Sequence, residues 1–218
     1  MKTRFGIDIS SFQGEPDFHE VAKHIGFLFH RSWMGDVGSN GAPDPKFTRE
    51  RVHQLRVNDI PFGPYCFARN SGNSGKLEAR LFVANAHGAG WGKKGDLPGV
   101  LDIETGEGSR PGVKFVREFA KEYRRLTGHR VIVYSGSFWR DILGNPLILT
   151  RSRFWLAAYT ATWHGWVPRA WKKPHIWQYT DKAIVPGIST GGVDGDRWIR
   201  SERSFARMRL RRDLVLHD

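Results

Sequence analysis

The stretch Leu97-Pro98-Gly99-Val100-Leu101-Asp102-Ile103-Glu104-Thr105-Gly106 reads as a buried strand that ends in acid. Side chains alternate across a strand, so Leu101 and Ile103 share one face and Val100, Asp102 and Glu104 the other. Two carboxylates closing an apolar run are costly to bury unless they have partners or a purpose. Their mutual repulsion raises one pKa, which keeps a carboxyl protonated as a general acid near neutral pH. The plain alternative is a strand end opening into solvent, with both acids merely hydrated.

Outward from this strand, short apolar runs alternate with helix-like segments. Expected strands cover residues 4–9, 26–31, 61–67, 99–103, 130–134, 154–158, 175–179 and 192–194. Expected helices cover 17–24, 45–58, 75–87, 111–126 and 137–143, with Asp44-Pro45 and Arg110-Pro111 as starts and Gly128 as a stop. Past the sixth strand, Pro168 and Pro174 among Trp163, Trp166 and Trp171 oppose a continuous helix. The fold class is α/β: a mainly parallel, irregular TIM-like barrel of eight strands, with helices after about the first five. No linker or repeat divides the chain. The expected organisation is a catalytic barrel over residues 1–199 and a basic tail over 200–218.

In such a barrel the active site lies at the C-terminal strand ends. Asp8, closing the first strand, and Asp194, closing the last, are then expected to face Asp102 and Glu104 across the mouth. Either acid alone suits a helix cap or turn equally well. Tyr65, Tyr134, Tyr159, Trp177 and Tyr179 also fall at or near strand ends. Rings with polar tips suit sugar faces, although any single one is better explained as core or rim packing.

Composition narrows the partners. The 34 basic and 22 acidic residues leave a net charge of +12, which draws polyanions: nucleic acid, anionic membrane or the bacterial wall. A single cysteine, Cys66, excludes an intrachain disulfide. Nine histidines show no metal-ligand spacing, so no metal or cofactor is expected, and His24, His30, His53 and His87 read as surface residues. No apolar stretch is long enough to span a bilayer. The apolar run after Met1 stops at Asp8, which reads as synthesis in the cytoplasm without a signal peptide.

Several segments in order carry a resemblance. They are Gly6-Ile7-Asp8-Ile9-Ser10 with Phe12-Gln13-Gly14, Phe29-His30-Arg31-Ser32, Gly63-Pro64-Tyr65-Cys66-Phe67 and the Asp102-Ile103-Glu104 strand. Val133-Tyr134-Ser135, Trp155-Leu156-Ala157-Ala158-Tyr159, Ile176-Trp177-Gln178-Tyr179 and Val193-Asp194 follow. Across about residues 4–198 the chain resembles the glycoside hydrolase family 25 lysozymes, the Chalaropsis-type muramidases common among phage endolysins. The resemblance implies a barrel of five helix-bearing and three bare strands. It also implies hydrolysis of the β-1,4 bond between N-acetylmuramic acid and N-acetylglucosamine in peptidoglycan. Glu104 would be the proton donor, with Asp102, Asp8 and Asp194 completing the catalytic set and Tyr65, Tyr134, Tyr159, Trp177, Gln178 and Arg31 binding substrate. No cofactor and no nucleic acid are implied. The expectation is a monomeric phage or prophage endolysin that acts on the wall after release.

Two positions depart from the family pattern: Cys66 stands where His is frequent, and Asp196 where Asn is frequent. The extra carboxylate would shift the pH optimum or simply point to solvent. Arg200, Arg203, Arg207, Arg209, Arg211 and Arg212 crowd the tail, which with the basic surface is expected to bind anionic wall polymers. The bland reading is a solubilising helix face.

Two other functions compete. Asp102-Ile103-Glu104-Thr105-Gly106 also looks like the first motif of two-metal 3′–5′ exonucleases, and +12 would suit DNA. That motif opens its domain, however, whereas here it follows three strands, and His175 and Asp181 are one residue too far apart for the later motif. A catalytically inactive carbohydrate-binding barrel would keep the aromatic mouth; the intact acidic set argues against it.

Overall fold

The computed structural model describes residues 4–35, 41–69, 72–104 and 111–216. Thr105, Gly106 and the expected helix start at Arg110 lie outside the described residues, as do residues 1–3 at the leader-like start. Among the described residues the alternating runs form β1 (Arg4–Ile9), β2 (Leu28–Met34), β3 (Ala42–Pro43), β4 (Phe62–Phe67) and β5 (Val100–Asp102). β6 (Ile132–Ser135), β7 (Phe154–Ala157), β8 (Ile176–Ala183) and β9 (Val193–Trp198) follow. The hydrogen-bonded order is β1-β9-β8-β7-β6-β5-β4-β2, and β1 also pairs with β2, so these eight strands close a barrel. The two-residue β3 hangs antiparallel on β2.

Helices α1 (Phe18–Val21), α2 (Arg49–Val57), α3 (Gly75–Gly88), α4 (Val113–Thr127) and α5 (Ser137–Asp141) follow the first five barrel strands, as the spacing predicts. A sixth, α6 (Glu202–Ala206), lies in the tail. The start of α2 falls four residues later than Pro45 because Thr48 supplies the cap, accepting from the Arg51 N–H. Gly128 ends α4 in the left-handed conformation at φ +73°, its N–H donating to the Arg124 carbonyl.

The last strand corrects an expectation. β9 does not run parallel with the others and Asp194 does not close it: β9 is antiparallel to both β1 and β8, and Asp194 is its second residue. The link over residues 184–192 is too short for a parallel crossover, which needs a dozen residues or more, so the chain turns straight back. This reversal brings Asp194 to the mouth, directly opposite Asp8 in the β1–β9 register.

The alternation read from the sequence divides two cores. Leu101, Ile103, Val133 and Leu156 pack outward against Val83, Phe119 and Leu126 of the helices. Phe27, Phe29, Val100, Ile132, Trp155, Ile176 and Trp198 fill the barrel. A Cβ on Gly6 would stand 2.4 Å from the Phe27 ring, so glycine there makes room for that filling. Phe205 and Met208 from the tail join the inner cluster, with the Phe205 ring 5.4 Å from Trp198 and 5.8 Å from Phe27. The tail is pinned by backbone bonds from Gly95 to Leu210, Leu210 to Asp96 and Leu214 to Gly92. It plugs the end of the barrel opposite the C-terminal ends of the parallel strands.

Two residues differ from their expected surroundings. His30 is no surface residue: it is fully buried, its Nδ1–H donating to the Arg31 carbonyl at 2.7 Å and its ring edge-on to Phe47. Burial holds its imidazole down at about 4, so it stays neutral. Cys66 is likewise buried in the outer core, and burial pushes its thiol well up, away from reactivity. No described helix is long and apolar enough to cross a membrane.

Candidate active site

Above the apolar filling, the barrel interior turns polar. Asp102 is the last residue of β5 on the inward face, and Glu104 follows two positions on with the same parity. The chain between them keeps its strand direction because the Ile103 N–H donates to the Tyr134 carbonyl and Ser135 Oγ–H to the Ile103 carbonyl. Glu104 is thereby aimed over the rim. Asp8 on β1 and Asp194 on β9 complete the ring of acids.

Gln178 organises the ring. Its Nε2 donates to Asp8 Oδ2 at 2.8 Å, and its Oε1 accepts from the hydroxyls of Tyr134 at 2.8 Å and Tyr159 at 2.9 Å. Both phenols donate to the same oxygen, so the amide has one possible orientation. Tyr159 Oη also reaches Asp194 Oδ1 at 3.5 Å. The expected site residues Asp8, Asp194, Tyr134, Tyr159 and Gln178 are therefore one bonded unit.

Burial dominates the electrostatics. It pushes the carboxyls of Asp8 and Asp102 well above the usual range, aided by the charge of Asp194 on the first and of Glu104 on the second. Among the described residues Asp102 Oδ1 has no hydrogen-bond partner. Glu104 is raised to about 7 by burial and by Asp194, and Asp194 to about 6 by burial and Asp181. Glu104 is thus a carboxyl still protonated in a near-neutral medium, which is what a general acid requires.

Arg31 sits at the edge of the ring, where its charge opposes the rise at Asp102. Its Nε donates to Asp44 Oδ2 at 2.8 Å and an Nη to Ser11 Oγ at 3.0 Å, under the exposed ring of Phe12. Burial works against the Asp44 charge, but the N–H groups of Lys46 and Ser11 and the Arg31 guanidinium hold its carboxyl below the usual range. Tyr65 stands inside the ring, its phenol pushed up by burial and by Asp8.

Trp177 is placed elsewhere. Alternation puts it on the outer face of β8, opposite Gln178, buried with its indole N–H donating to the Ala158 carbonyl at 2.8 Å. It packs and does not reach the mouth. The tryptophan at the mouth is instead Trp166: Glu104, Tyr134, Phe138, Tyr159, Thr160 and Trp166 surround a cleft of about 330 Å3. Phe138 comes from α5, after β6, and Trp166 from the irregular segment after β7. Asp196 was readable, since it shares the inward face with Asp194. It does not point to solvent: it is fully buried, accepts from the Trp155 indole at 2.7 Å and shares a carboxyl–carboxyl hydrogen bond with Asp8. Burial and the neighbouring Asp8 charge push it well up, so it is a neutral carboxyl below the ring.

A protonated carboxyl at the wall of an aromatic cleft, with further carboxyls beside it, can protonate a glycosidic oxygen and stabilise the cation left behind. Comparison with known proteins fits this chemistry. The family model for glycosyl hydrolases family 25 matches residues 7–188. Among solved structures, the lysozyme of Streptomyces coelicolor is similar at 27% identity and a TM-score of 0.83, over 96% of this chain and 98% of that one. A family 25 lysozyme of Aspergillus fumigatus is similar at 25% identity and 0.80, over 96% and 100%. The spore cortex lytic enzyme SleM of Clostridium perfringens is similar at 27% identity and 0.79, over 93% and 69%. No match was found among the curated protein sequences.

Proposed function

The chain belongs to the glycosyl hydrolases family 25, and from that premise we propose how its acidic ring performs the family's reaction. The protein is a peptidoglycan hydrolase, a lysozyme cleaving the β-1,4 bond between N-acetylmuramic acid and N-acetylglucosamine. The exonuclease and inactive-barrel readings find no support: the Asp102-Ile103-Glu104 strand belongs to a glycosidase barrel.

Glu104 is the proton donor. The observation that carries this is its carboxyl, held at about 7 beside the cleft of Tyr134, Tyr159 and Trp166. Its proton passes to the glycosidic oxygen as the bond to the anomeric carbon breaks. Asp102 is a poor nucleophile, because burial pushes its carboxyl well up and disfavours the ionised form. The substrate's own N-acetyl oxygen therefore closes onto the anomeric carbon, with the Asp194 carboxylate accepting from the acetamido N–H. Water, deprotonated by Glu104 in its ionised form, then opens the ring with net retention. Asp8, fixed by Gln178, completes the field around the developing cation. Tyr65, Tyr159 and Arg31 border the sugar.

The test is incubation with bacterial walls in excess EDTA, reading new reducing ends and new free amines. Reducing ends without amines, and a β-anomer as first product by NMR, are expected. An α-anomer would overturn the retaining route, and amines without reducing ends would overturn the glycosidase reading.

Finer points follow from the charge and the family. The net charge of +12 holds the enzyme to anionic wall polymers, so cleavage of whole walls slows as salt is raised above physiological levels. The enzyme acts as a monomeric endolysin, made in the cytoplasm and released onto the wall; activity retained inside intact expressing cells checks this.

A further inference from the structure

The end of the barrel opposite Glu104 carries a second concave feature. Arg130, Arg153, Arg207, Arg209, Arg211 and Arg212 line a cavity of about 810 Å3 between the tail and the segments that precede β5, β6 and β7. Arg130 also borders an adjoining groove of about 310 Å3, whose other cations are Arg117, Lys121 and Arg124 of α4 and Arg151. Nine of these ten cations are arginines. Among the described lining residues the one carboxylate is Asp213, which already accepts from Lys93 Nζ and the Lys94 N–H. Burial and the charges of Arg212 and Arg153 hold His129 below its ordinary value, as expected where positive charge is uncompensated.

The guanidinium fork matches phosphate oxygens, and a double groove suits an extended ligand better than a single ion. The lining holds no Phe, Tyr or Trp, the platforms on which bases stack in single-stranded nucleic acid sites. We propose that this track binds one strand of a linear phosphodiester polymer of the wall. The inference rests on the wall-hydrolase reading and deepens it, because a strand held at the floor leaves the catalytic mouth free. The anchored enzyme then meets glycan at a raised effective concentration.

Arg130, Arg211 and Arg212 are exposed, and no hydrogen bond or ion pair engages them among the described residues, so all three can be changed without unfolding the chain. Poly(glycerol phosphate) is the probe, and binding is measured against salt. The triple variant Arg130→Gln/Arg211→Gln/Arg212→Gln is expected to bind about tenfold or more weakly at 0.15 M salt, with a salt slope lower by about two. Its turnover of soluble, phosphate-free glycan fragments stays at the wild-type level. Lys76→Gln/Lys172→Gln/Lys173→Gln removes the same charge from exposed positions outside the track and is expected to bind within about twofold of wild type. Equal weakening by both triples would overturn the proposal in favour of diffuse charge, and unchanged binding by the first would overturn it outright. Displacement of the polymer by a lower concentration of single-stranded DNA of equal charge would overturn it in favour of nucleic acid. Wild-type protein that binds the polymer but releases no reducing ends from soluble glycan would sink the hydrolase reading and leave the track standing.

Discussion

Gln178 and Asp8, 170 residues apart in the chain, meet through a single Nε2–Oδ2 hydrogen bond of 2.8 Å that fixes the acid ring to the two tyrosines. Gln178→Leu would take one partner from the Asp8 carboxyl and leave the Tyr134 hydroxyl without its acceptor, both groups being buried. Each buried group left without a partner costs about 1–3 kcal/mol. Urea unfolding is expected to show a loss in that range or above, with turnover falling alongside.

Glu104→Gln keeps the shape and removes the proton. Turnover is expected to fall about a thousandfold, within the usual reach of general acid catalysis. The melting temperature at pH 8 is expected to hold or rise, since an amide replaces a carboxylate that burial disfavours.

The pH dependence runs opposite to that of most proteins rich in ion pairs. Glu104 rises from an ordinary 4.5 to about 7 on folding, and Asp194 from 3.8 to about 6. Between those values the folded state binds more protons than the unfolded one, so stability falls as pH rises. This contribution is fully present below about pH 4 and is lost by about pH 7. Thermal melts across pH 4–8 check it. Activity needs protonated Glu104 and is expected to drop with pH above about 7, on a limb that Asp194→Asn moves to lower pH by removing its charge.

Asp196→Asn tests the buried carboxyl. The amide oxygen can still accept from Trp155, while the group no longer ionises beside Asp8. A higher melting temperature above pH 7 is expected. Asp196→Leu should lower it, because the Trp155 indole loses its acceptor.

Two tryptophans separate binding from packing. Trp166→Ala is expected to raise KM on wall fragments with little change in stability, since Trp166 is exposed beside the cleft. Trp177→Ala is expected to cost about 3–5 kcal/mol in unfolding free energy, as for other buried large-to-small changes.

The period of two made the central strand legible: Val100 and Leu101 part to the inner and outer cores as alternation demands. Applied once more, the same period separates Trp177 from Gln178, and Trp177 was misread because nearness to a strand end was allowed to stand for facing the mouth. Strand direction has no such signature. The run Val193-Asp194 reads the same whichever way it is laid, and only the length of the preceding link shows that β9 turns back. Trp166 reaches the cleft from an irregular segment whose course is set by tertiary packing. In the tail, the arginines masked the spacing of Phe205, Met208, Leu210 and Leu214, each of which is buried.

The pairing of β1 with β9 also governs when the enzyme can exist. A chain emerging from the ribosome presents its first strand early, but the partner that closes the wall and delivers Asp194 follows all the other strands. The floor waits longer still, for Phe205 and Met208. Every unfinished or truncated copy that stops short of β9 is an open sheet without its full set of acids. Lytic capacity therefore waits on β9, and a fragment that lacks it lacks Asp194 as well.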